Sequence, residues 1–409
     1  MKEKIVTSNF IFVFVSTFCS AMVMYILMST VTEYATVLGA TATVAGLISG
    51  IYVIGGLCSR LYSGIALPKI GWKKLAIMAM VLHLAACFCY FFIDNTALLL
   101  IVRFIHGLGF GASANATMTM GMSILPKSRY AEATGYLLLS TSLAVAAGPF
   151  VGGMIYDNFG STGCFIAAVI FSFLMLVTIL FVDVKDLDPG YKKKIAKDEQ
   201  RPDKVEKSPE ISAESPKGLN KFMELKALPV SLCILMVGCG YASLLSFYRL
   251  YASSLNMSKE FSYIFVVYAA VLIASRLFSG KIQDKYGDNI VCIPGMILQG
   301  IGLILIGINP CMITIIICAA GCALGFGTLS ASLNVIACGK TTPERRSYAV
   351  TTFWICCDGG VGIGPFILGA VAGAFDYSAM YIAAAMISLI ALPIYFCFHA
   401  RNNKGFKRI

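Results

Sequence analysis

Residues 59–64 read Ser-Arg-Leu-Tyr-Ser-Gly, and residues 275–280 read Ser-Arg-Leu-Phe-Ser-Gly, an offset of 216. The same offset carries Gly109-Phe110-Gly111 onto Gly325-Phe326-Gly327, Gly148-Pro149-Phe150 onto Gly364-Pro365-Phe366, and Tyr25 onto Tyr241. Tyr34 has its match in Tyr251, one residue out of register. One unit is therefore written twice in the same direction with almost no slippage. If each copy crosses a membrane an even number of times, both copies keep the same orientation, and a site can form between parallel halves.

Composition places the unit in lipid. The chain has 409 residues, 58% of them hydrophobic and only 13% charged, with a mean hydropathy of +0.80. A water-soluble domain cannot hide that much apolar surface. The apolar runs are about 20 residues long, enough to cross a hydrocarbon core of about 30 Å as helix. Helix is the expected form because the backbone must satisfy its own hydrogen bonds there. Met1 to Thr7 is short and basic, and the stretch from Phe10 is long enough to be a span, so no cleavable leader is expected.

Twelve spans are expected. The first six are 9–31, 43–63, 75–93, 97–121, 133–155 and 162–183. The second six are 227–248, 260–280, 290–308, 311–337, 348–373 and 379–399. The domain reading is a six-helix bundle over 1–183, a charged linker over 184–226, and a second bundle over 227–409 ending in a short basic tail. The linker is rich in Lys, Glu, Asp and Pro and reads as flexible or partly helical rather than as a domain.

Lysine and arginine set the orientation. Lys69, Lys73, Lys74, Lys127, Arg129, Lys281, Lys285, Lys340, Arg345 and Arg346 fall in alternate loops, on the side of the linker and the tail. The other side shows Glu33, Asp94, Asp157 and Asp376, with Lys259 and Arg249 as its few cations. A multi-pass protein of the plasma membrane with both termini cytoplasmic is expected. The net charge of +11 is thus a topology signal, and no nucleic-acid partner is expected. Fifteen cysteines could suggest a scaffold or a metal. Most, including Cys19, Cys87, Cys89, Cys233, Cys239, Cys318, Cys322, Cys356 and Cys357, lie inside apolar runs without zinc-type pair spacing. Neither a metal nor a cofactor is expected.

Three short patterns carry chemistry. Gly64-Ile-Ala-Leu-Pro68-Lys69-Ile-Gly71-Trp72-Lys73-Lys74 follows span 2, and Gly280-Lys-Ile-Gln-Asp284-Lys285-Tyr-Gly287 follows span 8. Arg103-Phe-Ile-His106-Gly107-Leu-Gly109 lies in span 4. Ala144-Val-Ala-Ala-Gly148-Pro149-Phe-Val-Gly152-Gly153 lies in span 5. With six plus six spans and a charged central linker, the whole chain resembles the major facilitator superfamily, and in the third pattern its drug or metabolite:proton antiporter branch.

The resemblance implies an all-α membrane protein of twelve transmembrane helices in two parallel-repeat halves. It implies a secondary transporter and no enzyme. The branch implies proton-coupled export of a small organic compound. Import or facilitated passage of a sugar or carboxylate is the alternative, and a polytopic membrane enzyme is a more distant one. No His-Glu-x-x-His or Gly-x-Ser-x-Gly pattern supports an enzyme. The small-molecule substrate, protons and the bilayer are the expected partners, and the monomer the expected working unit.

Residue by residue, the resemblance makes Gly64, Gly71, Lys73, Gly280, Asp284, Lys285 and Gly287 a latch on the cytoplasmic face. Pro68, in the first copy, stands where the family pattern has an acid, which the second copy keeps as Asp284. Gly148, Pro149, Gly152 and Gly153 form the antiporter pattern, although Ala144 stands where the branch has Gly. The resemblance also places spans 1, 4, 7 and 10 around the substrate cavity, with Tyr25, Asn115, Tyr241 and Asn334 as candidate polar groups.

Intramembrane charge supplies the rest. An Arg deep in a span costs about 2.5–3.5 kcal/mol on insertion scales and must face the bundle interior. Arg103 is read as a proton-coupling or substrate-anchoring residue, with a structural buried pair as the other reading. His106, three residues on, shares its helix face and is either a cavity group or a packing residue. Asp358, about ten residues into span 11, is the best proton-binding candidate, with Arg103 expected to bias it. Glu33 and Arg249 stand 216 residues apart. They either pair across the halves as an outer gate or remain solvated span ends.

Overall fold

The computed structural model describes residues 4–126, 130–184, 223–261, 263–341 and 345–400. Lys127, Arg129, linker residues 185–222 and the basic tail from residue 401 lie outside the described residues. So do the side chains of residues 64–65 and 67–69, which include Pro68 and Lys69.

The described residues are almost wholly helical and contain no strand. The first half comprises α1 (Ser8–Val37), α2 (Ala42–Ile70), α3 (Trp72–Cys89, extended by a tight turn Tyr90–Phe92) and α4 (Thr96–Ser123). It closes with a helix Tyr130–Leu180 that bends at Gly160 (φ 65°, ψ −164°), giving α5 (130–159) and α6 (161–180). The second half comprises α7 (Leu228–Ser254), α8 (Ile264–Tyr286), α9 (Asn289–Ile308), α10 (Met312–Gly339), α11 (Arg346–Ala374) and α12 (Tyr377–Phe398). Eleven helical stretches are long and apolar enough to cross a membrane, and the bend at Gly160 divides the longest into two. The twelve expected spans are therefore present, mostly longer than expected at one or both ends.

Local chemistry starts and stops these helices. Thr7, Asn95 and Asp376 each accept a hydrogen bond from a backbone N–H of the first turn, at 3.2, 2.8 and 2.6 Å. Gly71 and Gly287 end α2 and α8 at φ 94° and φ 92°, a region open to glycine alone. These two are the repeat-equivalent glycines of the latch patterns, so the duplication is visible in the backbone.

It is visible in the packing as well. The Tyr34 hydroxyl donates to the Ile93 carbonyl at 3.0 Å, and Tyr251 donates to Ile306, also at 3.0 Å. His83 and Gln299 are equivalent, as are Ser172 and Ser388. His83 Nδ1 lies 2.9 Å from Ser172 Oγ, and Gln299 Nε2 lies 3.1 Å from Ser388 Oγ. Each bond ties the third helix of a half to its sixth.

Gln299 is completely buried and structural. Its Nε2 also donates to the Val237 carbonyl at 2.8 Å. Its Oε1 accepts the Phe326 N–H at 2.7 Å, inside the π-helical turn Ala323–Gly327 of α10. Diverting one amide out of a helical ladder opens it in this way. Gln299→Leu leaves the Phe326 N–H and the Val237 carbonyl without these partners. We expect a loss of about 1–3 kcal/mol, read as an apparent Tm lower by several degrees in detergent. An unchanged Tm would show that this hub does not stabilise the half.

The start of α1, the end of α12 and the basic turn at Lys73 lie at helix ends that share one face. Asn9 near the start of α1 bonds the Asp183 carbonyl at 2.8 Å, and His399 at the end of α12 meets Asp288 at 3.0 Å. Lys73 caps the end of α6 through the Leu180 and Val182 carbonyls at 2.8 and 2.7 Å. We call this the basic face and the opposite one, with Glu33, Asp94, Asp157 and Asp376, the acidic face. The stretch just before α7 also packs on the second half. Glu224 is buried, pairs with Arg345, and its N–H donates to Thr352 of α11 at 2.9 Å. Burial pushes the Glu224 carboxyl up, and bonds from Arg345, Lys226 N–H and Thr341 outweigh it and hold it below its ordinary value. This anchor therefore contributes stability above the ordinary carboxylate range and loses it as the pH falls through the lowered value.

Candidate functional site

The seam between the halves is built from α1, α2 and α5 on one side and α7, α8 and α11 on the other. Toward the acidic face it is shut by backbone. A Cβ on Gly46 would stand 2.0 Å from the Pro365 carbonyl oxygen, and one on Gly50 would stand 2.0 Å from that of Gly362. Only glycine allows α2 and α11 this approach. Hydroxyls reinforce the seam. Thr32 donates to the Ser246 carbonyl at 2.5 Å, and Ser49 Oγ and Ser246 Oγ are 2.8 Å apart. Thr43 donates to the Gly369 carbonyl at 3.3 Å.

At the rim, Arg249 of α7 bonds Glu33 of α1 at 2.5 Å and Asp157 of α5 at 2.6 Å. Its guanidinium also lies 4.7 Å from the centre of the Tyr156 ring. Glu33 and Arg249 are therefore paired across the halves and are not solvated ends. Asp157 is the partner that sequence reasoning missed.

Deeper in, Asp358 of α11 forms an ion pair with Arg60 of α2. The two side chains keep 21% and 28% of their surface exposed. Tyr25 lies close enough to feel both charges. Half-buried Trp354 precedes Asp358 by one helical turn, and half-buried Leu235 lies against Gly359 and Gly360 just after it. Asn115, also half-buried, donates to Ser63 at 2.8 Å. Asn334 is half-buried on α10, where it accepts from the Cys338 thiol.

Arg103 does not meet Asp358. It is completely buried inside the first half. Its Nε and Nη2 donate to the Ile48 and Ser49 carbonyls of α2 at 3.2 and 3.3 Å, and its guanidinium lies 4.4 Å from the Tyr52 ring centre. The expected partner is wrong because α2 runs to Ile70, not to residue 63. Arg60 lies ten residues from that end and so deep in the helix, not at a span end. His106 and Tyr241 are likewise fully buried and do not line an opening in this state. Tyr241 stacks on Phe326 at 4.4 Å, and His106 meets His83 and Cys87 in the core of the first half. His83 and Cys87, one turn apart on α3, are a ligand-type pair that sequence reasoning passes over as apolar filling.

The short patterns serve packing in this state. Gly148 and Gly152 let α5 lie on α1, where added Cβ atoms would meet Tyr25 at 2.5 Å and Ile26 at 3.0 Å. Gly153 faces Tyr248 and Arg249 of α7, and the Tyr248 hydroxyl is 3.5 Å from the Pro149 carbonyl. Of the latch residues, Asp284 is exposed on the basic face, Gly280 has open space beside it, and Lys285 lies 5.0 Å from the Tyr286 ring centre.

The chain is similar to known membrane transporters throughout its length. It is 25% identical over 394 residues to an uncharacterized MFS-type transporter of Methanocaldococcus jannaschii, covering 93% of this chain and 96% of the relative. It is 24% identical to the multi-drug resistance efflux pump PmrA of Streptococcus pneumoniae, covering 84% and 82%. It is 21% identical to the staphylopine export protein of Staphylococcus aureus, covering 88% of each. Among solved structures, a POT family transporter in complex with 5-aminolevulinic acid matches with a TM-score of 0.73 at 14% identity, covering 96% of each chain. The nucleoside transporter NupG matches at 0.69 and 13%, covering 96% of this chain and all of that one. The family model of the Major Facilitator Superfamily matches residues 13–357 and again 230–408. With twelve spans in two repeated halves and polar groups meeting along their seam, this chain belongs to the Major Facilitator Superfamily, a family of transporters rather than enzymes.

Proposed function

We propose that the protein is a proton-coupled exporter of small, amphipathic organic compounds, working as a monomer in the plasma membrane with its basic face and both termini in the cytoplasm. The observation that carries this reading is the Arg60–Asp358 pair. It is the described ion pair that joins α2 to α11 away from the rim, and both of its side chains keep part of their surface exposed. A carboxylate can gain and lose a proton there, whereas Arg60 keeps its charge at every physiological pH. Protonation of Asp358 removes the pairing, and its release to the cytoplasm restores it. The state described here, shut toward the acidic face, is then the one in which the proton has left and substrate enters.

The surroundings of the pair support the substrate class. Tyr25, Leu235 and Trp354 offer apolar and aromatic surface, and Asn115, bonded to Ser63 about one turn from Arg60, adds a polar point without charge. The similarity to a multi-drug efflux pump and to an export protein supports the direction. Both halves rocking about the seam, with Asp284 and the basic loops latching the cytoplasmic face in the opposite state, completes the cycle.

The test is a panel of fluorescent or radiolabelled amphipathic compounds in inverted vesicles or proteoliposomes, with and without an imposed pH gradient. At least one compound should accumulate against its gradient when the lumen is acid, and collapse of the gradient should return it to equilibrium. Accumulation that follows sodium and ignores pH would overturn the coupling. Uptake with the opposite polarity would overturn the direction.

A further inference from the structure

We propose that His83, Cys87 and His106 form a buried binding site for a d10 metal ion, Zn2+ or Cu+, in the core of the first half. The three ligand atoms lie within 4.8 Å of one another. His83 Nε2 and His106 Nε2 are 3.0 Å apart, and Cys87 Sγ is 3.5 Å from His106 Nε2. Bonds of about 2.0 Å to nitrogen and 2.3 Å to sulfur at tetrahedral angles give edges of about 3.3 and 3.5 Å. Two of the three edges therefore already stand close to where a metal would hold them, and the third is at most 4.8 Å.

The outer hydrogen bonds point the same way. His106 Nδ1 meets the Tyr90 hydroxyl at 3.0 Å, and His83 Nδ1 meets Ser172 Oγ at 2.9 Å. Ser172 Oγ is in turn 3.2 Å from Cys87 Sγ. In one consistent assignment both Nδ1–H groups donate to hydroxyls and Ser172 donates to the thiolate. Both Nε2 lone pairs and the sulfur then converge with no proton between them. Ring nitrogens fixed by outer partners are what a histidine metal site requires. On binding, the Cys87 thiol gives up its proton to solvent.

The repeat supplies a control within the molecule. The other half carries Gln299, Leu303 and Cys322 at the equivalent positions. There Gln299 alone satisfies the buried polar groups through Val237, Phe326 and Ser388. A bundle of this kind thus needs one polar hub between its third and sixth helices and does not need a His-Cys-His set. The charge count favours Cu+ over Zn2+. With the thiolate, Cu+ leaves the site neutral, whereas Zn2+ adds a net charge to a core that already holds Arg103, across the Tyr52 ring that packs 5.0 Å from His106.

The experiment uses the full chain, purified reduced in detergent and stripped of metal with a chelator. Zn2+ and, under anaerobic conditions, Cu+ are added separately, and metal retained after desalting is measured by mass spectrometry. The wild type should retain about one equivalent more than Cys87→Ser or His83→Gln. His83→Gln installs the residue that the other half uses here, so it preserves the Ser172 bond and the fold. Tyr90→Phe and Ser172→Ala should keep the site but weaken it by about 10- to 100-fold. X-ray absorption of the loaded protein should show nitrogen and one sulfur bound to the metal. The arm that loads identifies the ion. Equal retention by the wild type and both ligand variants, or an oxygen-only shell, overturns the proposal and leaves the cluster as a hydrogen-bonded network.

Discussion

Asp358→Asn is expected to abolish accumulation driven by a pH gradient while leaving downhill exchange of substrate measurable. A one-proton exchanger converts each unit of pH into about a tenfold concentration ratio, or about 1.4 kcal/mol. The variant should hold that ratio near one at every gradient imposed. The amide keeps the shape of the side chain and can still accept a bond from Arg60. It cannot take up a proton or carry charge, so the seam no longer reads the pH. Arg60→Gln is the informative companion. It leaves Asp358 able to titrate without its cation, and accumulation should survive with a shifted pH dependence. Arg103→Ala should behave differently from both, because Arg103 bonds α2 carbonyls inside one half and crosses no seam. Its main readout should be stability. If Asp358→Asn accumulates substrate at the wild-type ratio, the proton is carried elsewhere.

Gly50→Val is expected to hold the acidic face open and stop transport. Its first added carbon would overlap the Gly362 carbonyl, with backbone on both sides and nothing flexible to yield. Overpacking of about 1–3 kcal/mol, acting on the shut state alone, shifts the equilibrium between the two states by about 5- to 150-fold. A cysteine placed at Thr43 reports the change, since Thr43 lies on the same contact and bonds Gly369. An impermeant maleimide added from outside should label it about tenfold faster in the Gly50→Val background than in wild type. Gly56→Ala on the same helix is the control. A Cβ there meets only ordinary contacts, the nearest at 3.5 Å, and none of the three crosses the seam. Equal labelling in all backgrounds would mean that the glycine contact does not set the shut state.

Much of the architecture is legible in the chain alone. The constant offset of 216 and the two latch glycines make the duplication plain. The twelve apolar runs are readable because a helix must be about 20 residues long to cross lipid and lipid leaves the backbone no other form. Gly148, Gly152, Gly360 and Gly364 mark helices that approach closely, although not which neighbour each touches. The bend at Gly160 falls between two expected spans.

The pairing of the charges is not legible. Arg60 and Asp358 are 298 residues apart, and each belongs to a helix that is apolar nearly all the way round. Such a helix has no strong polar stripe to say which way a residue faces. Arg103, with glycines around it, stands out in the sequence, whereas Arg60 reads as a span end as long as α2 is taken to stop at residue 63. The same limit hides His83 and Cys87. Their one-turn spacing on α3 is visible, but the turn of α4 that brings His106 to them is not. Length, spacing and repetition are properties of the chain itself, and they determined the spans and their arrangement in two repeated halves. The rotation of each helix about its axis is settled by packing against its neighbours. Only the tertiary structure could therefore decide that Asp358 meets Arg60, that Arg249 meets both Glu33 and Asp157, and that two histidines and a cysteine converge in the core.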